Sequence, residues 1–268
     1  MVSLHLGAAL AVVRRDYQLW VSYRTRFASQ ALAVFFSLVL FYYISRLVRV
    51  RLFRTNDEYF AFVVIGLSIL EVLTATLHTL PASLRGELLA GSFERTVVSP
   101  FGPVAGIAAM TLFPVAQALC VGALTIGLAA AVFGLPLSWS TLPEAIPTAL
   151  LGSVAFAPFA LLMACAVLRV KQSGAGSAFV VTALALAGGA FFPVSLLPGA
   201  VRWVSDVQPF TPAVTLLRHE IAGAPLSGSP WVAAAKLAGF AAILLPVSMY
   251  ALAASVRSCQ RRGSLIEY

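Results

Sequence analysis

Residues 188–230 read GGAFFPVSLLPGAVRWVSDVQPFTPAVTLLRHEIAGAPLSGSP, and their punctuation decides the fold. The run that enters this stretch is apolar, yet Gly188 and Gly189 permit a break, and Pro193 and Pro198 interrupt any helix that continues. Two short helices are then expected, 199–207 and 212–221, separated by Gln208-Pro209-Phe210-Thr211. Pro212 suits a first helical turn, with Thr211 as its cap. Apolar helices broken in this way are tolerated at membrane depth only where protein or a cavity surrounds them. The stretch therefore reads as a re-entrant plug or outer gate, formed by Phe191, Phe192, Pro193, Pro198, Trp203 and Phe210.

Composition sets the membrane as the solvent. The 268 residues are 60% hydrophobic and 10% charged, with a mean hydropathy of +0.93, where a soluble chain is about 45–50% apolar and about 25% charged. A soluble enzyme, a disordered tail and a disulfide scaffold are excluded. Cys120 and Cys165 lie in apolar runs and Cys259 in a basic tail, so no oxidised framework is implied. Six stretches are long and apolar enough to span: 27–44, 60–80, 103–133, 146–170, 177–197 and 231–256. Transmembrane strands are shorter and alternate in polarity, so the expected fold is an all-α membrane bundle of six helices.

Before the first span, Leu6, Leu10, Val13, Tyr17 and Trp20 recur at helical spacing, opposite Arg15, Gln18, Ser22 and Arg26. That stripe predicts an amphipathic interface helix over 1–26 rather than a cleavable signal. Six spans put both ends on one side. The net charge of +8 is almost all arginine and reads as flanking charge, not as a nucleic-acid footprint. With cytoplasmic ends, eleven basic residues face inward: Arg14, Arg15, Arg24, Arg26, Arg85, Arg95, Arg169, Lys171, Arg257, Arg261 and Arg262. The remaining seven of the eighteen face outward, so the charge rule favours that orientation. Four of those seven, Arg46, Arg49, Arg51 and Arg54, form a basic outer loop. They read either as snorkelling to lipid phosphates or as a contact for an anionic substrate. Trp139, Trp203 and Trp231 fall at the outer face, as an aromatic belt would.

Two further features carry chemistry. The segment 81–100, PASLRGELLAGSFERTVVSP, predicts two short surface helices, the first ended by Gly91 and the second capped by Ser92. Arg85, Glu87, Glu94 and Arg95 would supply exposed charge around an apolar centre at Leu88 and Phe93, the composition of a docking surface. Within the spans, Glu71 stands near mid-bilayer, with Ser68 and His78 on its face and Gln117 of the third span as a candidate partner. A carboxylate there is a functional hypothesis by default, and a hydrogen-bonded helix contact is its structural alternative. No Walker loop, dinucleotide fingerprint or nucleophile elbow occurs, and the three histidines are scattered, so no catalytic or metal-ligating residue is assigned.

Taken with these motifs the chain resembles the permeases of type-2 ABC exporters along nearly its whole length. The residues that carry the likeness are Gly91-Ser92-Phe93-Glu94-Arg95 through Ser99-Pro100, the Phe192-Pro193-x-x-x-Leu197-Pro198 pattern, then Pro209, Thr211, Pro212 and Arg218, and the basic tail with Arg262-Gly263-Ser264-Leu265. Ser92 and Phe93 stand where the family more often has Thr and Leu. The resemblance implies one transmembrane permease domain over 1–268: interface helix 1–26, spans one and two in 27–80, coupling segment 81–100, spans three to five in 101–197, re-entrant helices 198–230, and span six with a cytoplasmic tail in 231–268. It also implies a second permease chain, two copies of a cytoplasmic ATPase that binds ATP and Mg, and no cofactor in this chain. The implied cargo is an amphipathic drug, lipid or lipid-linked glycan carried outward across the cytoplasmic membrane. The alternatives are a membrane-embedded enzyme acting on lipid-linked substrates and an ion-coupled carrier using Glu71.

Overall fold

The computed structural model describes residues 7, 11–18, 21, 24–47, 53–93, 102–170, 175–226 and 228–262, and among them all regular structure is helical. Besides the helical stretch 11–18, the α-helices among the described residues are, in order, α1 (Arg24–Leu47), α2 (Asn56–Leu89), α3 (Pro103–Ala109), α4 (Leu112–Phe133), α5 (Ala145–Val170), α6 (Ala175–Ala187), α7 (Gly199–Asp206), α8 (Phe210–Ala222) and α9 (Pro230–Arg262). Among the described residues five segments are long and apolar enough to cross a membrane, with α3 and α4 together forming one of them. The break between those two, at Met110–Thr111, has a local cause. Pro114 lacks an N–H and its ring excludes the carbonyl four residues earlier, so it is accommodated in the first turn of a new helix.

Helix α2 is the axis of the bundle and packs against α1, α4, α5, α6 and α8. Its 34 residues rise about 51 Å, well beyond the roughly 30 Å hydrocarbon core, so its last turns project from any membrane it crosses. Phe60, Ile65, Ile69, Leu73, Leu77, Leu80 and Leu84 are all fully buried along it. Against α4 the contact is close, because Ala118, Gly122 and Thr125 are small; a Cβ on Gly122 would stand 3.2 Å from the Ser68 carbonyl. Helix α5 joins α2 to α9, its most extensive partner. Near the far end of α2 a second core gathers Leu80, Leu84 and Leu88 with Leu161 and Leu168 of α5 and Leu252 and Val256 of α9.

Two sequence expectations change here. Span two does not stop at residue 80, because α2 runs through buried Pro81 to Leu89. An internal proline costs about 3 kcal/mol, which the three buried leucines at four-residue spacing offset at about 1.5–3 kcal/mol each. The expected surface helix at 81–89 is therefore the end of α2. Span five does not run from 177 to 197 as one helix either. Helix α6 ends at Ala187, and its described part, Ala175–Ala187, rises about 20 Å. Among the described residues, then, five segments have the length and apolarity to cross a membrane, and α6 is a shorter apolar helix followed by the broken segment 188–222.

Candidate functional site

Gly189 breaks the fifth apolar run with φ +79, a left-handed conformation in which a side chain is strained. The chain then turns through 190–193 and a single 3-10 turn at Val194–Leu196 before entering α7 and α8. The two short helices fall within two residues of the expected bounds. Ser205 donates to the Ala187 carbonyl at 2.6 Å, tying α7 back to the end of α6. Phe210 is fully buried and stacks on Phe156 at 6.1 Å, in the space that the absent side chain of Gly188 leaves. Phe191 stacks on Phe41 of α1 at 6.3 Å. Of the aromatic residues expected to seal the plug, these two are inserted and Phe192 is half-buried, but Trp203 is 62% exposed and seals nothing in this chain. Pro193 is half-buried and Pro198, exposed, precedes α7.

What holds the plug to the bundle is Arg218, a residue that sequence reasoning placed among the outer charges and among the motif residues that carry the resemblance. It is buried in α8, its Nε donating to the Phe62 carbonyl at 3.0 Å and its Nη2 to the Ala190 carbonyl at 2.9 Å. The guanidinium carbon lies 3.3 Å from the centroid of the Phe62 ring. One side chain thus joins α2, the break after α6, and α8. This approach requires Gly66, where a Cβ would overlap the Ala190 carbonyl oxygen and stand 2.8 Å from Arg218 Nη2. No motif flags Gly66; an arginine inside the apolar run of α8 was the available signal. Two residues on, Glu220 is also buried and accepts from Thr148 at 2.8 Å, while its Oε2 has no partner among the described residues.

The expected intramembrane polar set does not form one cluster. Ser68 is buried and donates back to the Val64 carbonyl. His78 shares a 2.9 Å hydrogen bond with Ser177 of α6, and Gln117 donates to Gln30 of α1 at 3.2 Å, not to Glu71. Glu71 itself is the one exposed residue between Phe60 and Pro81 on a helix otherwise buried or half-buried there. Among the described residues it has neither a hydrogen-bond nor an ion-pair partner.

At the opposite end, α2 closes in a Schellman turn, with Gly91 (φ 65) donating to Leu88 and Ser92 to Glu87, as the sequence led us to expect of Gly91. Glu87 accepts from Arg15 at 3.4 Å, and Tyr17 meets Phe113 edge-on, so the N-terminal helical stretch 11–18 lies against this end. Arg85 is half-buried, and Glu94 and Arg95 lie outside the described residues. Leu88 and Phe93 are core, 6% and 0% exposed, so they are not the apolar centre of a docking surface. The adjacent exposed apolar side chain is Leu89, at 59%. In the basic loop Arg46 pairs with Asp57 at 3.0 Å and lies over the Tyr42 ring. The Arg54 backbone N–H meets Glu58 at 2.8 Å, and its side chain is exposed; Arg49 and Arg51 lie outside the described residues.

Comparison with known proteins places this arrangement in context. Residues 8–221 match the family described as ABC-2 type transporter. Over 101 residues the chain is 31% identical to Nodulation protein J of Rhizobium meliloti (strain 1021), an alignment that takes in 38% of each chain and so less than half of that relative's length.

Proposed function

The chain belongs to the ABC-2 type transporter family as a multi-pass membrane permease, and from that premise we propose that it is the transmembrane subunit of an ATP-driven exporter. In this reading it pairs with a second copy of itself and with two copies of a separate cytoplasmic ATPase that binds ATP and Mg. An amphipathic drug, lipid or lipid-linked glycan moves outward across the cytoplasmic membrane, and both termini are cytoplasmic. The ATPase docks at the end of α2, where the Arg15–Glu87 pair and exposed Leu89 stand together.

Glu71 carries this reading. A carboxylate at mid-bilayer costs at least about 2.5 kcal/mol even on insertion scales, yet Glu71 is exposed on the most buried helix of the bundle. A water-lined passage on that face removes the cost, and a permease needs such a passage. Co-expression with the ATPase, reconstitution in proteoliposomes and efflux of labelled amphiphiles test the proposal. ATP-dependent efflux that falls in Glu71→Gln, with the ATPase still bound, is expected. Efflux that ignores ATP and follows a proton gradient would replace this reading with an ion-coupled carrier.

A further inference from the structure

Arg218 is 5% exposed and has no carboxylate partner among the described residues. Its two hydrogen bonds use two of the five guanidinium N–H groups, both on carbonyls that neutralise no charge. A buried cation without a counter-charge is costly. Arg218 also lines a cavity of about 490 Å³ between the plug and the start of α9, a volume within the usual range for small-ligand sites. Lys236 of α9 and the hydroxyl-bearing Ser195, Thr211 and Thr215 line the same space, and among the described residues Asp206 supplies its only carboxylate. The cavity is therefore net positive, with its buried charge unbalanced. Exposed Trp203 and Trp231 stand at the same end of the bundle, marking the depth at which aromatic side chains meet lipid headgroups. Val194, Leu226 and Val232 give the cavity an apolar wall beside its cations.

We propose that this cavity binds the phosphate of a lipid headgroup, with Arg218 as the buried anchor and Lys236 at the rim. The planar guanidinium fork suits phosphate oxygens, and the apolar wall takes the first carbons of the lipid. The lipid is either a resident membrane phospholipid or a phosphate-bearing cargo; only that second source rests on the export reading, because binding by the isolated chain needs no ATPase.

The test uses the purified chain in an uncharged maltoside detergent, with retention of phosphatidylglycerol measured by native mass spectrometry against phosphate-free monoglucosyl diacylglycerol. The phospholipid is expected to be held about tenfold more tightly. Lys236→Gln should weaken its retention about threefold to tenfold, the scale of one charge-assisted contact. Asp206→Asn should strengthen it by removing a like charge. Both positions are exposed, so neither variant depends on the packing that an Arg218 substitution disturbs. Retention by the chain alone identifies a resident phospholipid. Retention of a phosphate-bearing lipid only after ATP turnover by the assembled complex, and sensitive to the same two variants, identifies cargo. Equal retention of the glycolipid, or indifference to both variants, overturns the assignment while leaving the export reading untouched.

Discussion

Replacing Gly66 by alanine sets two effects of opposite sign against each other. In a helix interior alanine is favoured over glycine by about 1 kcal/mol, so a helix judged alone would be stabilised. The new Cβ, however, would overlap the Ala190 carbonyl oxygen and stand 2.8 Å from Arg218 Nη2. Backbone on one side and a pinned guanidinium on the other leave little room to yield. Displacing Arg218 loses its hydrogen bonds to Phe62 and Ala190, about 1.5–3 kcal/mol each for bonds to a charged group. The net loss is about 2–5 kcal/mol, which lowers the melting temperature by on the order of 5–15 °C. Cys165 and Cys259 are buried free thiols, 8% and 6% exposed, and report unfolding by reaction with a thiol dye once exposed Cys120 is replaced by alanine. Gly127→Ala in α4, where a Cβ meets nothing within 4 Å, is the control and should melt at or slightly above the parent. If Gly66→Ala also melts at or above the parent, Arg218 does not hold the plug as described.

Phe93→Ala empties a fully buried site and should cost about 3–5 kcal/mol, whereas Leu89→Ser should leave the melting temperature unchanged and reduce ATPase copurification; the reverse pattern would return Phe93 to the docking surface. The Arg46–Asp57 pair is exposed on both sides, so Asp57→Asn should cost no more than about 1 kcal/mol; a larger drop in melting temperature would show the loop to be more tightly integrated.

Element positions were legible wherever a local signal set them. Span 146–170 differs from α5 by one residue, and glycine and proline punctuation located α7 and α8 within two residues at each end. What escaped was decided by partners distant in sequence. Pro81 stays inside α2 because Leu80, Leu84 and Leu88 pack on α5 and α9, helices that begin at Ala145 and Pro230. Leu88 and Phe93 look like a docking patch until those helices cover them. Arg218, at the end of an apolar helix, has the spacing of an interfacial charge, and only Gly66, 152 residues away, admits it to the core. Glu71 was legible as an anomaly, but its exposure on a buried helix was not.

That exposure supports the central claim of a transport passage along α2, and thiol accessibility tests it most directly. With Cys120, Cys165 and Cys259 replaced, Glu71→Cys is labelled in native membranes by a charged, membrane-impermeant methanethiosulfonate. Phe36→Cys, 60% exposed on α1, serves as the comparison. The account predicts that Glu71→Cys reacts, that its rate changes when ATP and vanadate trap the assembled transporter, and that Phe36→Cys stays inert. Glu71→Cys as inert as Phe36→Cys in every nucleotide state would place it in lipid or in a dry interface and contradict the passage.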